Sequence, residues 1–188
     1  MPVTAQESLS DGNIRSAVQM WINNGEEAEM LYGRIEDWDV SRVTNFTSLF
    51  DSTVDFSADL GAWNTASVTT LRAAFYNSVG FSANIAAWDT SKVTDMRVML
   101  AYASDFSSDI SQWNVQNVQT MLGTFTYYSY SSEKTDSSND ETIAISGWNT
   151  DSLMDMEGLF AGTSYFHTDL SSWTTSKVSC ALCYVSML

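Results

Sequence analysis

The sequence predicts an α/β solenoid: a coiled chain with a parallel sheet on one side, short helices or turns on the other, and an N-terminal helical cap. Three observations support this fold class. The tryptophans recur at a regular spacing, several apolar columns share that spacing, and a helix-like segment precedes the first repeat. One repeat has too few apolar residues to bury a core alone, whereas stacked copies place equivalent side chains on one another.

The tryptophans define the repeat. All but Trp21 follow one constant period, with a single longer interval between the fourth and the fifth: Trp38, Trp63, Trp88, Trp113, Trp148 and Trp173. The period, about 25 residues, falls in the range typical of solenoids. A valine or leucine follows each tryptophan after five residues, and an apolar residue, most often phenylalanine, follows after twelve. From the second repeat onward, an isoleucine or leucine lies three residues before the tryptophan: Leu60, Ile85, Ile110, Ile145 and Leu170.

We place the predicted strand at the I/L-x-x-W-x-T/V segment, where Leu60, Trp63 and Thr65 would face inward. Each coil would add one strand to the sheet, about 4.8 Å from the next. The Val-Thr-x-Met-x-x-Met-Phe segment has apolar residues at helix-like spacing, which predicts a turn or short helix on the opposite side.

The chain before Trp38 is expected to cover the first coil. Ser10-Asp11 precede an apolar face that begins at Ile14, which is a helix-start signal, and a second short helix is predicted from Glu26 to Tyr32, ended by Gly33. The predicted boundaries are 1–10 for an unstructured tail, 11–34 for the helical cap, and 35–188 for five full repeats and a partial sixth, with a loop insertion at about 127–142.

The charge excludes several classes of partner. Eight basic residues stand against 23 acidic ones, which gives a formal charge of −15. Nucleic-acid binding depends on Lys and Arg neutralising phosphates, so no nucleic acid is expected. Insertion into a membrane is not expected either, because no apolar run reaches the length of a span. The charge suits cationic partners or divalent ions. No signal peptide is visible.

The residues that flank each tryptophan are expected to point outward and to form a small polar surface. Its candidate partner contacts are Asp37, Asp39, Asn64, Asp89, Asn114 and Asn149. The favoured alternative is structural, because Asx side chains accept hydrogen bonds from nearby backbone. Asp39 and Asp89 are weak calcium candidates, but no D-x-D-x-D-G loop occurs, so no metal site is assigned.

The insertion and the C-terminal end supply the other candidates. Tyr127, Tyr128 and Tyr130 could contact a partner, since exposed tyrosine is favoured in interfaces. The favoured alternative is a neutral polar excursion. Cys180 and Cys183 form a C-x-x-C pattern, which is interpreted as a local disulfide or as simple packing. A disulfide would fit an extracellular location.

Catalysis finds little support in the sequence. His167 is the only histidine, no phosphate-cradling glycine loop occurs, and no pair of carboxylates is singled out, so neither an enzyme nor a cofactor is predicted. The threonine column of Thr44, Thr69 and Thr94 makes ice or mineral binding an alternative. Asn45-Phe46-Thr47 matches an N-glycosylation acceptor, and a chance match is favoured because the segment packs in the core.

Three runs carry a resemblance to a known family: WDVSRVTNFTSLF (38–50), WDTSKVTDMRVML (88–100) and WNTDSLMDMEGLF (148–160). They resemble the BspA-like surface-protein repeats, a divergent branch of the leucine-rich repeats. The segment IRSAVQMWINN…LYGRIEDW resembles the lead-in found before such arrays. The resemblance implies a leucine-rich-repeat-like, right-handed coil in a cell-surface or secreted protein that mediates adhesion or protein contacts. It brings no catalytic residues.

The expected function is therefore a non-catalytic protein-interaction or adhesion module at the cell surface or outside the cell. Its partner would be a protein or another macromolecule, self-association included. One alternative is a structural subunit that assembles end to end into a larger array. The other is a protein that binds an ice or mineral surface.

Overall fold

A computed structural model of the chain describes residues 7–128, 143–163 and 168–179. Two helices come first, α1 (Ile14–Asn23) and α2 (Gly25–Tyr32), and a 3-10 turn follows at Ile35–Asp37. Both helices lie where the apolar pattern and the glycine stop predict them. The side chain of Asn24 accepts a hydrogen bond from the N–H of Glu27 at 3.4 Å, which starts α2.

Residues 7–10 do not form the unstructured tail that the sequence led us to expect. The N–H of Glu7 donates to the carbonyl of Leu31 at 3.0 Å, and Leu9 is buried in the common core. A buried leucine and hydrogen bonds to Leu31 and Asn13 therefore hold this segment against the molecule.

Stacked aromatic side chains form the core of the repeats. The indole rings of Trp38, Trp63, Trp88 and Trp113 follow one another with centroids 6.1 Å apart and planes within 13°. A second column runs beside them, in which Phe56 and Phe81 stack at 5.4 Å. Burial of these rings removes large apolar areas from water, which is the main stabilising contribution in such a repeat.

The predicted α/β solenoid with a parallel sheet is wrong, because the described residues contain no β-strand. Neighbouring repeats are joined instead by isolated parallel bridges. The predicted strand segment contains a turn, in which the N–H of Trp63 bonds back to the carbonyl of Leu60 at 3.1 Å. Leu60, Trp63 and Thr65 are all buried, so these side chains face inward without a strand. The bridges of one series lie on the side assigned to helices or turns: Asn45, Thr70, Asp95, Thr120 and Asp155.

The hydrogen bonding after each of these bridges explains why no strand forms. The N–H groups of Phe46, Ser48 and Phe50 donate to carbonyls of the next repeat, at 2.8–3.1 Å. Between them, the N–H of Leu49 bonds three residues back instead, to Phe46. The chain also takes a left-handed backbone ten residues after each of the first five repeat tryptophans: Ser48, Ala73, Val98, Gly123 and Gly158. These tight turns interrupt the extended backbone that a ladder of paired strands needs.

The ten-residue insertion does not shift the repeats that follow it. Phe125 and Phe160 stack at 5.4 Å with planes 9° apart, and the indole N–H of Trp148 donates to the carbonyl of Ile110 at 3.2 Å. Other repeat tryptophans reach back 28 residues in the same way, as Trp113 does to Ile85 at 3.1 Å. Trp148 and its acceptor Ile110 are 38 residues apart, which is the usual 28 plus the ten inserted residues. The insertion therefore leaves the register of the repeats unchanged.

Candidate functional site

The polar face beside the tryptophans is open to solvent. Asp37, Asp39, Asn64, Asp89, Asn114 and Asn149 are all exposed. The side chains that follow the tryptophans are used locally, because each accepts the backbone N–H two residues further on. The distances are 3.0 Å for Asp39, 3.2 Å for Asn64, 2.9 Å for Asp89, 3.1 Å for Asn114 and 2.9 Å for Asn149. These residues therefore have the structural role of Asx turns.

The same hydrogen bonds hold the Asx carboxylates in their charged form. The side chain and backbone of Ser41 lower the pKa of Asp39, and those of Ser91 lower the pKa of Asp89. The structure does not bring the two weak calcium candidates together, because the repeat that carries Asn64 lies between them. Within the described ranges, no group of three or more His, Cys, Asp or Glu residues is placed to hold a metal ion.

Most carboxylates of the described residues have no cationic partner within salt-bridge distance. The ion pairs found there join Arg34 to Glu36 at 3.5 Å and Arg97 to Asp95 at 2.6 Å. Burial disfavours the charge on Asp95, yet the hydrogen bonds and the charge of Arg97 hold its pKa below the ordinary value. The remaining acidic surface is a source of long-range attraction for cationic partners.

The tyrosines of the predicted loop differ in their exposure to solvent. Tyr127 is 54% exposed, whereas Tyr128 is buried and its hydroxyl donates to the carbonyl of Phe106 at 3.2 Å. Tyr128 is thus part of the core rather than of an exposed loop. Tyr130 lies outside the described residues, as do His167 and the two cysteines of the C-x-x-C pattern, Cys180 and Cys183.

Tyr127 belongs to a surface feature that the sequence analysis missed, which we call the tyrosine strip: Tyr76, Tyr102 and Tyr127. Tyr102 is 46% exposed; its ring lies 5.1 Å from that of Tyr127 with planes 15° apart, and 5.6 Å from that of Tyr76. Tyr102 and Tyr127 are one repeat period apart, so the repeat itself could have revealed the pair.

A glycine keeps the strip open at its far end. Gly162 occupies the same position of its repeat as Tyr127, with φ +68°. A Cβ atom added there would lie 2.4 Å from Cε1 of Tyr127, so any side chain would displace that ring. The strip therefore depends on a glycine one repeat away.

The side chains of the glycosylation candidate and of the ice-binding candidates form hydrogen bonds within the protein. The side chain of Asn45 accepts the N–H of Thr47 at 2.9 Å and a guanidinium N–H of Arg15 at 2.8 Å. The hydroxyl of Thr69 donates to the carbonyl of Thr44 at 3.2 Å. Both groups therefore serve contacts between neighbouring segments.

A shallow cleft lies between α1 and the end of the first full repeat. Trp21 and Ile22 form one wall, and residues 53–58 form the other. Asp55 is the titratable group of its lining. The cleft therefore offers an apolar wall and one carboxylate. In the part of the chain that the structure describes, no helix is long and apolar enough to cross a membrane.

Fold and surface together define a protein of stacked, aromatic-cored repeats with an acidic exterior. The chain belongs to the family described as "Mycoplasma protein of unknown function, DUF285", whose model matches residues 18–138 and 134–183. Comparison with curated proteins and with solved structures gave no match. The family match bears neither for nor against the resemblance to BspA-like repeats.

Proposed function

We propose that the chain is a non-catalytic protein-interaction module of a cell-surface or secreted protein, and that the tyrosine strip is its principal contact surface. The observation that carries this proposal is the exposure of stacked tyrosines in neighbouring repeats of an acidic protein. Tyrosine joins an apolar ring to a hydroxyl and is enriched at interfaces. Large apolar groups left in water across neighbouring repeats are typical of an interaction site.

The stacking supports a pre-formed contact surface. Tyr102 and Tyr127 hold each other at 5.1 Å, so a partner would meet side chains whose rotamers are already restricted. A pre-organised surface loses less entropy on binding. The −15 charge favours a partner with a basic face, because opposite charges speed association.

Capture of partners from an extract, with wild type and two double variants side by side, tests this function. The purified wild-type chain is immobilised and exposed to cell-surface extract of the source organism, beside Tyr102→Ser/Tyr127→Ser. The control is Met30→Ser/Val54→Ser, which removes side chains that are 70% and 66% exposed and lie off the strip. We expect a partner that wild type and control retain, that the tyrosine variant loses, and that salt weakens. Equal retention by all three chains, or no partner and no self-association, would contradict the proposal.

A further inference from the structure

The N-terminal segment covers a backbone edge that elsewhere in the chain is paired with another repeat. Six residues after each repeat tryptophan from Trp63 onward, the backbone N–H donates to the equivalent carbonyl of the preceding repeat. Thr69 does so to Thr44 at 2.8 Å, and Thr94 to Thr69 at 2.9 Å. Thr44 is the first member of this series, so no preceding repeat offers it a carbonyl.

Asp11 takes the place of that carbonyl. Its carboxylate accepts the N–H of Thr44 at 2.8 Å, the N–H of Asn45 at 3.0 Å and the hydroxyl of Thr44 at 2.7 Å. Burial opposes ionisation, yet these hydrogen bonds hold the pKa of Asp11 below its ordinary value.

Arg15 supplies the donors that a preceding repeat would supply. Between repeats, the carbonyls of Thr70 and Arg72 accept N–H groups of the repeat before them, at 3.1 and 3.0 Å. Their counterparts in the first repeat are the carbonyls of Asn45 and Thr47. Arg15 donates to both, from Nη2 to Asn45 at 3.5 Å and from Nε to Thr47 at 2.5 Å.

We infer that this edge of the first repeat is an association surface for a second copy of the chain, and that Asp11 and Arg15 keep it closed. Exposed rows of unpaired N–H and C=O groups act as templates for pairing. The partner is a second copy because the edge is irregular. Its donors and acceptors are spaced by turns with left-handed residues at Ser48 and Ser52, which a plain strand does not match and another repeat does.

Sedimentation velocity over a range of concentrations tests the inference, which does not depend on the tyrosine strip. The full-length variant Asp11→Ala/Arg15→Ala is compared with wild type and with Glu26→Ala/Lys177→Ala, which also removes one acid and one base but leaves the edge covered. We expect the sedimentation coefficient of the first variant to rise with concentration while the other two stay constant. Amide hydrogen exchange at Thr44 and Asn45 reports whether the edge has been opened.

Two results would overturn the inference. One is a variant that stays monomeric although exchange at Thr44 and Asn45 shows the edge to be open. The other is wild type associating to the same extent as the variant. Should the double variant fail to fold, Asp11→Ala alone frees the N–H groups of Thr44 and Asn45 and is judged by the same two criteria.

Discussion

Each repeat tryptophan contributes an apolar ring to the core, and each one after Trp38 also donates a hydrogen bond to the segment one repeat earlier. The ring of Trp88 lies between those of Trp63 and Trp113, at 6.1 Å from each. Its indole N–H donates to the carbonyl of Leu60 at 3.1 Å. The buried N–H is thus satisfied, which a tryptophan needs when it lies in a core.

Replacement of Trp88 by alanine should lower the free energy of unfolding by about 3–5 kcal/mol, because it leaves a cavity inside a stacked column. Trp88→Phe keeps a ring but removes one of the two donors to the carbonyl of Leu60, which still accepts the N–H of Trp63, and the lost hydrogen bond should cost about 0.5–1.5 kcal/mol. Urea denaturation measures both. A loss under ~1 kcal/mol for the alanine variant would contradict the stacking of the tryptophans.

The tryptophan columns and a segment that covers the first repeat were predictable from the sequence, whereas the contacts of Asp11 and Arg15 that close its edge were not. A constant spacing shows which residues lie above one another, and Trp88 and Trp113 are buried as that spacing requires. The roles of Asp11 and Arg15 depend on contacts to residues of the first repeat, far along the chain, and no local pattern encodes these.

At the scale of the element, the repeat is built from turns rather than strands. The turns were not predicted because Ser48, Ala73 and Val98 occupy left-handed positions, where glycine is the usual residue. Only in later repeats do Gly123 and Gly158 stand there. The spacing of apolar residues predicts which side chains are buried, but it does not distinguish an extended segment from a chain of tight turns.

The Asx turns make the stability of the repeats depend on pH. Hydrogen bonds from Ser41 and Ser91 lower the pKa values of Asp39 and Asp89. A lowered pKa in the folded state stabilises the fold above the ordinary aspartate value, about 3.9, and this contribution is lost as pH falls through the folded value. The free energy of unfolding should therefore decrease below about pH 4.

Asparagine provides the matched control, since Asn64, Asn114 and Asn149 form the same turn without a titrating group. The variant Asp39→Asn/Asp89→Asn should keep the wild-type fold and lose less stability on acidification. Urea denaturation between about pH 3 and about pH 6 gives the two slopes. Identical slopes would mean that these carboxylates make no contribution to the acid dependence.

At the scale of the whole molecule, the repeats form one continuous core from Leu9 to Trp173. The acidic side chains lie outside this core, where they favour solubility. The edge of the first repeat and the tyrosine strip lie on different repeats, so the two proposed associations are tested with separate variants. The sequence predicted the acidic charge from composition alone, but the exposure of the tyrosines and the contacts of Asp11 and Arg15 required the structure.

The central claim is that equivalent positions stack regardless of the insertion, and removal of the extra residues tests it most directly. Deleting 131–140 from the long interval restores the regular repeat spacing between Trp113 and Trp148. The contacts across this junction, such as Phe125 with Phe160, do not use the deleted residues. We predict a single cooperative unfolding transition with a stability within about 1 kcal/mol of wild type. Loss of cooperative unfolding, or separate transitions for the segments before and after the deletion, would contradict the account.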